Sequence, residues 1–399
     1  MKELFRRLFK QPVLAVEILV ATCLTTLLSL AMPLYVIQIL NRYVSYGFHG
    51  TLITLTLGMC IAVFLQLGFR MVRTRMAAAV NQGPNDSLSR EMLTLISQAQ
   101  AAPLLGIPKQ DIHDSLTHVQ TIRQAYDAQT LTAVLDAPFS LVLVGMLYLL
   151  SPVLAGIALG GISITLGSAW ITLARSGRTG NLLGSAVSAH QGLNFSVVNG
   201  LETVKAFCAA PFLWNKWENQ LATISDLQAR LSAYRDLLTT LTLTVSALTS
   251  VFIYAGGAIL VVQGKLSVGA LIGANILFGR AFQNTTRLVQ AAFALARARK
   301  SFQALAKFST IPLEPAAGTA LGRYHGKLEC QDLGFAYPNT TTPLFESLTL
   351  TLEPGSVVGV TGSNGTGKTT LAKLLTCLLN TRRGKILADG VNLAQISPS

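Results

Sequence analysis

The sequence predicts an all-α membrane domain of six helices followed by the opening part of a soluble α/β domain. Three observations predict it. Charge is scarce: 51% of the 399 residues are hydrophobic and 12% charged, about half the charged share of an average soluble domain. The apolar residues gather in uncharged runs near the ~20 residues that a bilayer crossing needs. Towards the C-terminal end, a glycine-rich loop stands between a β-branched run and an apolar helical one, a pattern that a membrane span does not require.

The spans can be marked out by charge alone. Between Lys10 and Arg42 the only charged side chain is Glu17, and Tyr43 to Phe69 carries none beyond His49. Ala137 to Ala174 is uncharged but broken by Ser151-Pro152. Two further runs follow Asp236, divided by Gln263-Gly264-Lys265. The expected spans are 13–40, 50–70, 133–150, 153–174, 238–262 and 266–288, within a membrane domain covering 1–309.

The net charge of +13 would suggest nucleic acid in a soluble protein, but its distribution points to a lipid bilayer and no nucleic acid. Of the 31 Lys and Arg residues only Arg42 and Lys265 fall in outer loops. That bias predicts a multi-pass membrane protein with both termini cytoplasmic. The basic leader Met1 to Lys10 reads as an inner-face anchor. The five cysteines and five histidines show no ligand spacing, so neither a disulfide framework nor a zinc site is expected.

Two long polar segments, Arg70 to Thr132 and Arg175 to Asp236, read as helical hairpins on the cytoplasmic side. At 1.5 Å per residue, helices of about 25 residues would carry the membrane helices roughly 35 to 40 Å beyond the bilayer. Residues 310–326, rich in Pro, Gly and small side chains, suit a linker. Residues 327–399 then form the partial α/β domain.

The strongest chemical signal is Gly362-Ser363-Asn364-Gly365-Thr366-Gly367-Lys368-Thr369-Thr370, which fills every position of the Walker A phosphate loop. Ser356 to Thr361 reads as the strand before it and Leu371 to Leu379 as the helix after it. Strand, loop and helix together turn consecutive backbone N–H groups and a helix N-terminus towards phosphate oxygens. Lys368 would reach the β- and γ-phosphates of ATP, and the Thr369 hydroxyl would ligate Mg2+.

With Leu333-Gly-Phe-Ala-Tyr-Pro, Leu344 to Gly355 and Gly384 to Gly390 around that loop, the segment resembles the opening of an ABC ATPase domain. The resemblance implies that Tyr337 stacks on adenine. Upstream, Asp136-Ala-Pro-Phe, Val262 to Ile272 and Gly279-Arg-Ala resemble the six-helix exporters of this family, type I secretion permeases in particular. The fold class is therefore a membrane all-α six-helix ABC exporter domain followed by the N-terminal part of an α/β P-loop NTPase domain. Gly200 to Ala210 matches the approach to a coupling helix, although Ala210-Pro211 stands where the family carries an acidic residue.

The resemblance also implies further ATPase parts: a signature loop, a Walker B strand and a switch histidine. No Leu-Ser-Gly-Gly-Gln occurs, no catalytic residue is assigned, and the domain is expected to continue past Ser399. Two functional classes stand side by side. One is ATP-driven export of a protein or peptide, or of a lipid or drug, by a homodimer or heterodimer; type I secretion would add a periplasmic adaptor and an outer-membrane channel. The other is a non-hydrolysing nucleotide-binding membrane regulator. Arg280, well inside the sixth expected span, costs about 2.5 to 3.5 kcal/mol to insert unless paired or wet. It either lines a transport cavity or snorkels to the inner face.

Overall fold

The computed structural model describes residues 2–47, 49–314, 324–337, 340 and 342–396. They form two units, 1–89 with 113–304 and 90–112 with 305–399. Most of the expected linker (315–323), Pro338 of the Tyr337 motif, and Ser397 to Ser399 lie outside the described residues.

The first unit is helical. Its elements are α1 (Lys2–Phe9), α2 (Pro12–Ser29), α3 (Ala31–Gln38), a π-helical turn at Ile39–Val44, and the first part of α4 (His49–Gln98). There follow most of α6 (Lys109–Ala125), then α7 (Ala128–Leu150), α8 (Pro152–Asn199), the short α9 (Leu201–Ala206), α10 (Ala210–Val262) and nearly all of α11 (Val268–Ala306). Pro12 and Pro152 sit in the first turns of α2 and α8, where a missing N–H costs nothing. Asp127 caps α7 by accepting the Thr130 N–H at 2.7 Å.

Five stretches are long and apolar enough to cross a membrane: Pro12–Val44, His49–Gln98, Ala128–Leu150, Pro152–Asn199 and Ala210–Val262. The sixth expected span lies in α11, which is continuous but falls short in apolarity because Asn275, Arg280, Gln283 and Asn284 lie within it. Helix α1, the basic leader, is held by one buried arginine. Arg7 donates to Asn85 Oδ1 at 2.8 Å and stands 4.3 Å from the centre of the Tyr126 ring.

In lipid, apolar area drives helix association weakly, so small residues that let backbones approach matter more. Helices α8, α10 and α11 show this. Gly161 faces Thr249, Gly257 faces Leu271, and Leu154, Ala158, Ile253 and Phe278 close a buried cluster around them. A Cβ on Gly161 would fall on the stiff, buried Thr249 side chain, whereas one on Gly160 would meet nothing. Gly161→Ala is therefore expected to cost about 1–3 kcal/mol by overpacking. Gly160→Ala should be close to neutral, and thermal unfolding in detergent compares the two.

The second unit is α/β. Strands β1 (Leu328–Phe335), β2 (Phe345–Leu352), β3 (Arg383–Ala388) and β4 (Val391–Asn392) form an antiparallel sheet in the order β2-β1-β3-β4. Helix α12 (Lys368–Leu375) lays Leu371 and Leu374 against Cys330, Leu333, Phe335 and Ile386. Residues 90–112, which the sequence places in domain 1–309, pack within this unit. Ala99 bridges Leu313, the Gln100 N–H donates to Pro312 O at 3.0 Å, and Ala102 of α5 (Ala101–Leu105) packs on the sheet-and-helix core.

Two expectations are corrected. The helix after the loop ends at Leu375 and does not run to Leu379, because the chain turns at Thr376 and the left-handed Cys377 (φ 56°). The run Ser356 to Thr361 is not a ladder strand: it pairs with nothing among the described residues, and Val357, Val358 and Val360 are exposed. Its β-branched residues suit a pleated, half-buried surface, and the four strands present pair with one another instead.

Candidate nucleotide-binding site

The loop takes its shape from backbone geometry. Gly365 and Gly367 have φ of 90° and 95°, the left-handed region that glycine occupies without steric cost. Gly367 caps α12, and a Cβ there would come within 2.8 Å of Phe345 Cζ and 2.9 Å of Leu344 Cδ2. The turn at Pro354-Gly355 precedes the extended run, and residues 361–366 are exposed. Thr366 ties the loop to itself by donating from Oγ1 to Ser363 O at 3.0 Å.

The side chains named from the sequence converge here. Lys368 Nζ donates to Gly362 O at 2.8 Å and Ser363 O at 2.7 Å, so its charge lies across the mouth of the loop. Thr369 is exposed on the first turn of α12, while Thr370 is buried beneath it. The Tyr337 and Thr370 hydroxyls stand 3.0 Å apart, and the Tyr337 ring meets Phe335 edge-on at 5.0 Å. Tyr337 remains 38% exposed, enough for a planar ligand to reach it. Arg280 belongs to the other unit.

Two aspartates frame the sheet that carries this loop. Asp332, itself left-handed at φ 50°, accepts from Ser347 at 2.6 Å and from Arg383 at 2.8 Å, tying β1 to β2 and β3. These partners hold its carboxyl below the usual range, the Ser347 hydrogen bond most of all. Asp389, in the Asp-Gly turn, accepts from the backbone N–H groups of His325 and Lys327, and the His325 contact chiefly lowers its pKa. Burial pushes the Cys330 thiol up, as expected for a packed residue.

A loop with left-handed glycines, no room for a Cβ at its last glycine, a lysine aimed across it and an exposed threonine beyond fits a polyphosphate with a divalent cation. Residues 15–286 match the family described as ABC transporter transmembrane region, and residues 345–399 match that described as ABC transporter. The chain belongs to the ABC transporter family. As a member it is an integral membrane protein whose second unit holds the opening part of the family's nucleotide-binding domain.

Among similar proteins are the toxin RTX-I translocation ATP-binding protein of Actinobacillus pleuropneumoniae and the alpha-hemolysin translocation ATP-binding protein HlyB of Escherichia coli. The first is 25% identical over 389 residues, 96% of this chain and 54% of that protein. The second is 25% identical over 402 residues, 99% of this chain and 55% of that protein. This ABC transporter chain thus spans about half the length of the curated relatives it matches. The solved structure of a bacterial Atm1-family ABC exporter with ATP bound superposes with a TM-score of 0.76 at 17% identity. It covers 96% of this chain and 69% of its own, and it supports the exporter fold.

Sequence reasoning missed three features of the ABC transporter chain. Phe345 and Leu344 fix Gly367, Thr370 anchors Tyr337, and the Ala99–Ala102 segment packs in the second unit. The last had a signal, since a small-residue run ending at Pro103 between two polar helices suits a docked turn.

Proposed function

We propose that this chain supplies the membrane path and the phosphate-gripping half of an ATP-driven exporter of the bacterial inner membrane. The observation that carries the proposal is the Walker A loop, set in its left-handed glycine geometry and joined to a helical unit of exporter fold. In this reading Lys368 leaves the Gly362 and Ser363 carbonyls for the β- and γ-phosphates, and Thr369 ligates Mg2+. Tyr337 stacks on adenine, held at its hydroxyl by Thr370. Magnesium supplies charge neutralisation between the phosphates when bound. The six spans are the apolar parts of α2–α3, α4, α7, α8, α10 and α11, the termini are cytoplasmic, and two copies pair.

The similarity to toxin translocation proteins supports a protein or peptide substrate, passed to a periplasmic adaptor and an outer-membrane channel. Affinity-tagged protein isolated from its native envelope tests both halves of the reading. It is expected to bring down an adaptor and an outer-membrane channel, and to bind Mg-ATP ahead of Mg-GTP. Recovery without these partners, together with lipid or drug transport in vesicles, would move the substrate to those classes. A clear preference for GTP would remove the adenine role of Tyr337.

A further inference from the structure

The helical unit carries a second polar site, open to its surface. A cavity of 60 Å³ lies among α2, α4, α7 and α11, with Arg70, Arg73, Asp136, Arg280 and Arg287 around it and the hydroxyls of α2 on one wall. Four arginines against one aspartate leave a formal charge of 4 − 1 = +3 in its lining.

That single carboxylate is already taken. Asp136 receives Arg73 through both oxygens, in an ion pair buried on both sides. Arg73 Nε is buried without an acceptor. Among the described residues Arg70, Arg280 and Arg287 form no ion pair, and all three line the one small cavity. Arg70 and Arg287 are exposed and Arg280 is half-buried, and the amides that line the cavity beside them, such as Gln66 and Asn284, neutralise no charge. A negative group from outside would.

We propose that Arg70, Arg280 and Arg287 form a binding site for a compact oxyanion, a phosphate or carboxylate group, carried on a larger polar ligand. Guanidinium forks pair with such oxyanions in parallel hydrogen bonds that a halide cannot match. The small cavity suits the anionic head alone. A neighbouring compartment of 420 Å³ shares Arg70, Arg73 and Arg287 and adds Gln129, Thr132, Gln290 and the carboxylate of Asp127, which caps α7, a polar lining with room for the rest of the ligand. The spacing is helical on both sides, Gln66, Arg70 and Arg73 on α4 and Arg280, Asn284 and Arg287 on α11, so each helix presents its groups as one stripe.

The test uses the full chain with Lys368→Ala, which removes the phosphate loop as a competing site, in nanodiscs of phosphatidylcholine. Two probes are compared by thermal unfolding: inorganic phosphate against chloride at equal ionic strength, and partial replacement of the lipid by phosphatidylglycerol. At least one probe is expected to raise Tm by ~2 °C or more. A response to phosphate alone marks a soluble anion, and one to phosphatidylglycerol alone marks a lipid headgroup. Arg280→Gln and Arg287→Gln are each expected to at least halve the response, and Arg280→Lys to retain part of it. No response to either probe, or a response unchanged in both glutamine variants, overturns the proposal. Should one variant not fold, the other decides, and the lysine substitution separates lost charge from lost packing.

Discussion

Lys368→Ala is expected to weaken Mg-ATP binding by about a hundredfold or more while leaving the fold in place. The ammonium group lies exposed between two loop carbonyls at 2.8 and 2.7 Å, so removing it opens no cavity in the core. What disappears is a point charge facing the phosphates. Charge-assisted hydrogen bonds contribute about 1.5–3 kcal/mol each, and two of them at 1.4 kcal/mol per decade account for the factor. Gly367→Val is the companion that separates loop shape from charge. It forces a β-branched residue into φ 95° and drives a Cβ to within 2.8 Å of Phe345, so it should lose binding and also lower the unfolding temperature of the unit. Titration with a fluorescent ATP analogue, alongside thermal unfolding of the free proteins, reads both effects. Normal ATP affinity in either variant would remove the phosphate loop from the nucleotide reading.

The shape of the 362–370 loop was legible in the sequence because it is local: nine consecutive residues bring their own backbone and charge together. The membrane character was legible for a similar reason, since charge-free runs need no partner to be recognised. Features that depend on pairing across the chain were not. The run Ser356 to Thr361 reads as a strand by composition, yet strand formation needs a neighbour, and none of the described strands pairs with it. Arg280 could be singled out as an isolated cation, but not its company. Arg70, Arg73 and Asp136 come from α4 and α7, far away in sequence, and only helix packing brings them to one cavity. Likewise Asp136 stood out only as part of a family motif, and its pairing with Arg73 needed the structure.

Asp136→Ala is expected to be the most damaging single change in the helical unit, costing about 3–5 kcal/mol. Both partners of the pair are 7% exposed, so deleting the carboxylate leaves Arg73 charged, buried and beside three other arginines. Asp136→Asn keeps shape and one hydrogen-bond acceptor but not the charge, and should fall between wild type and alanine. If the cost comes from the stranded charge and not from lost packing, Arg73→Met combined with Asp136→Leu should recover most of the stability, because apolar pairs of similar volume replace buried ion pairs at little or no loss. Unfolding in detergent across this double-mutant cycle measures the coupling. The same variants bear on the oxyanion site from the opposite side. Asp136→Asn raises the formal charge of the cavity lining by one and frees the Arg73 fork, so phosphate should stabilise it more than it stabilises the wild type, even though the free protein is weaker. A structural role for Asp136 alone predicts the loss of stability without the gain in anion response.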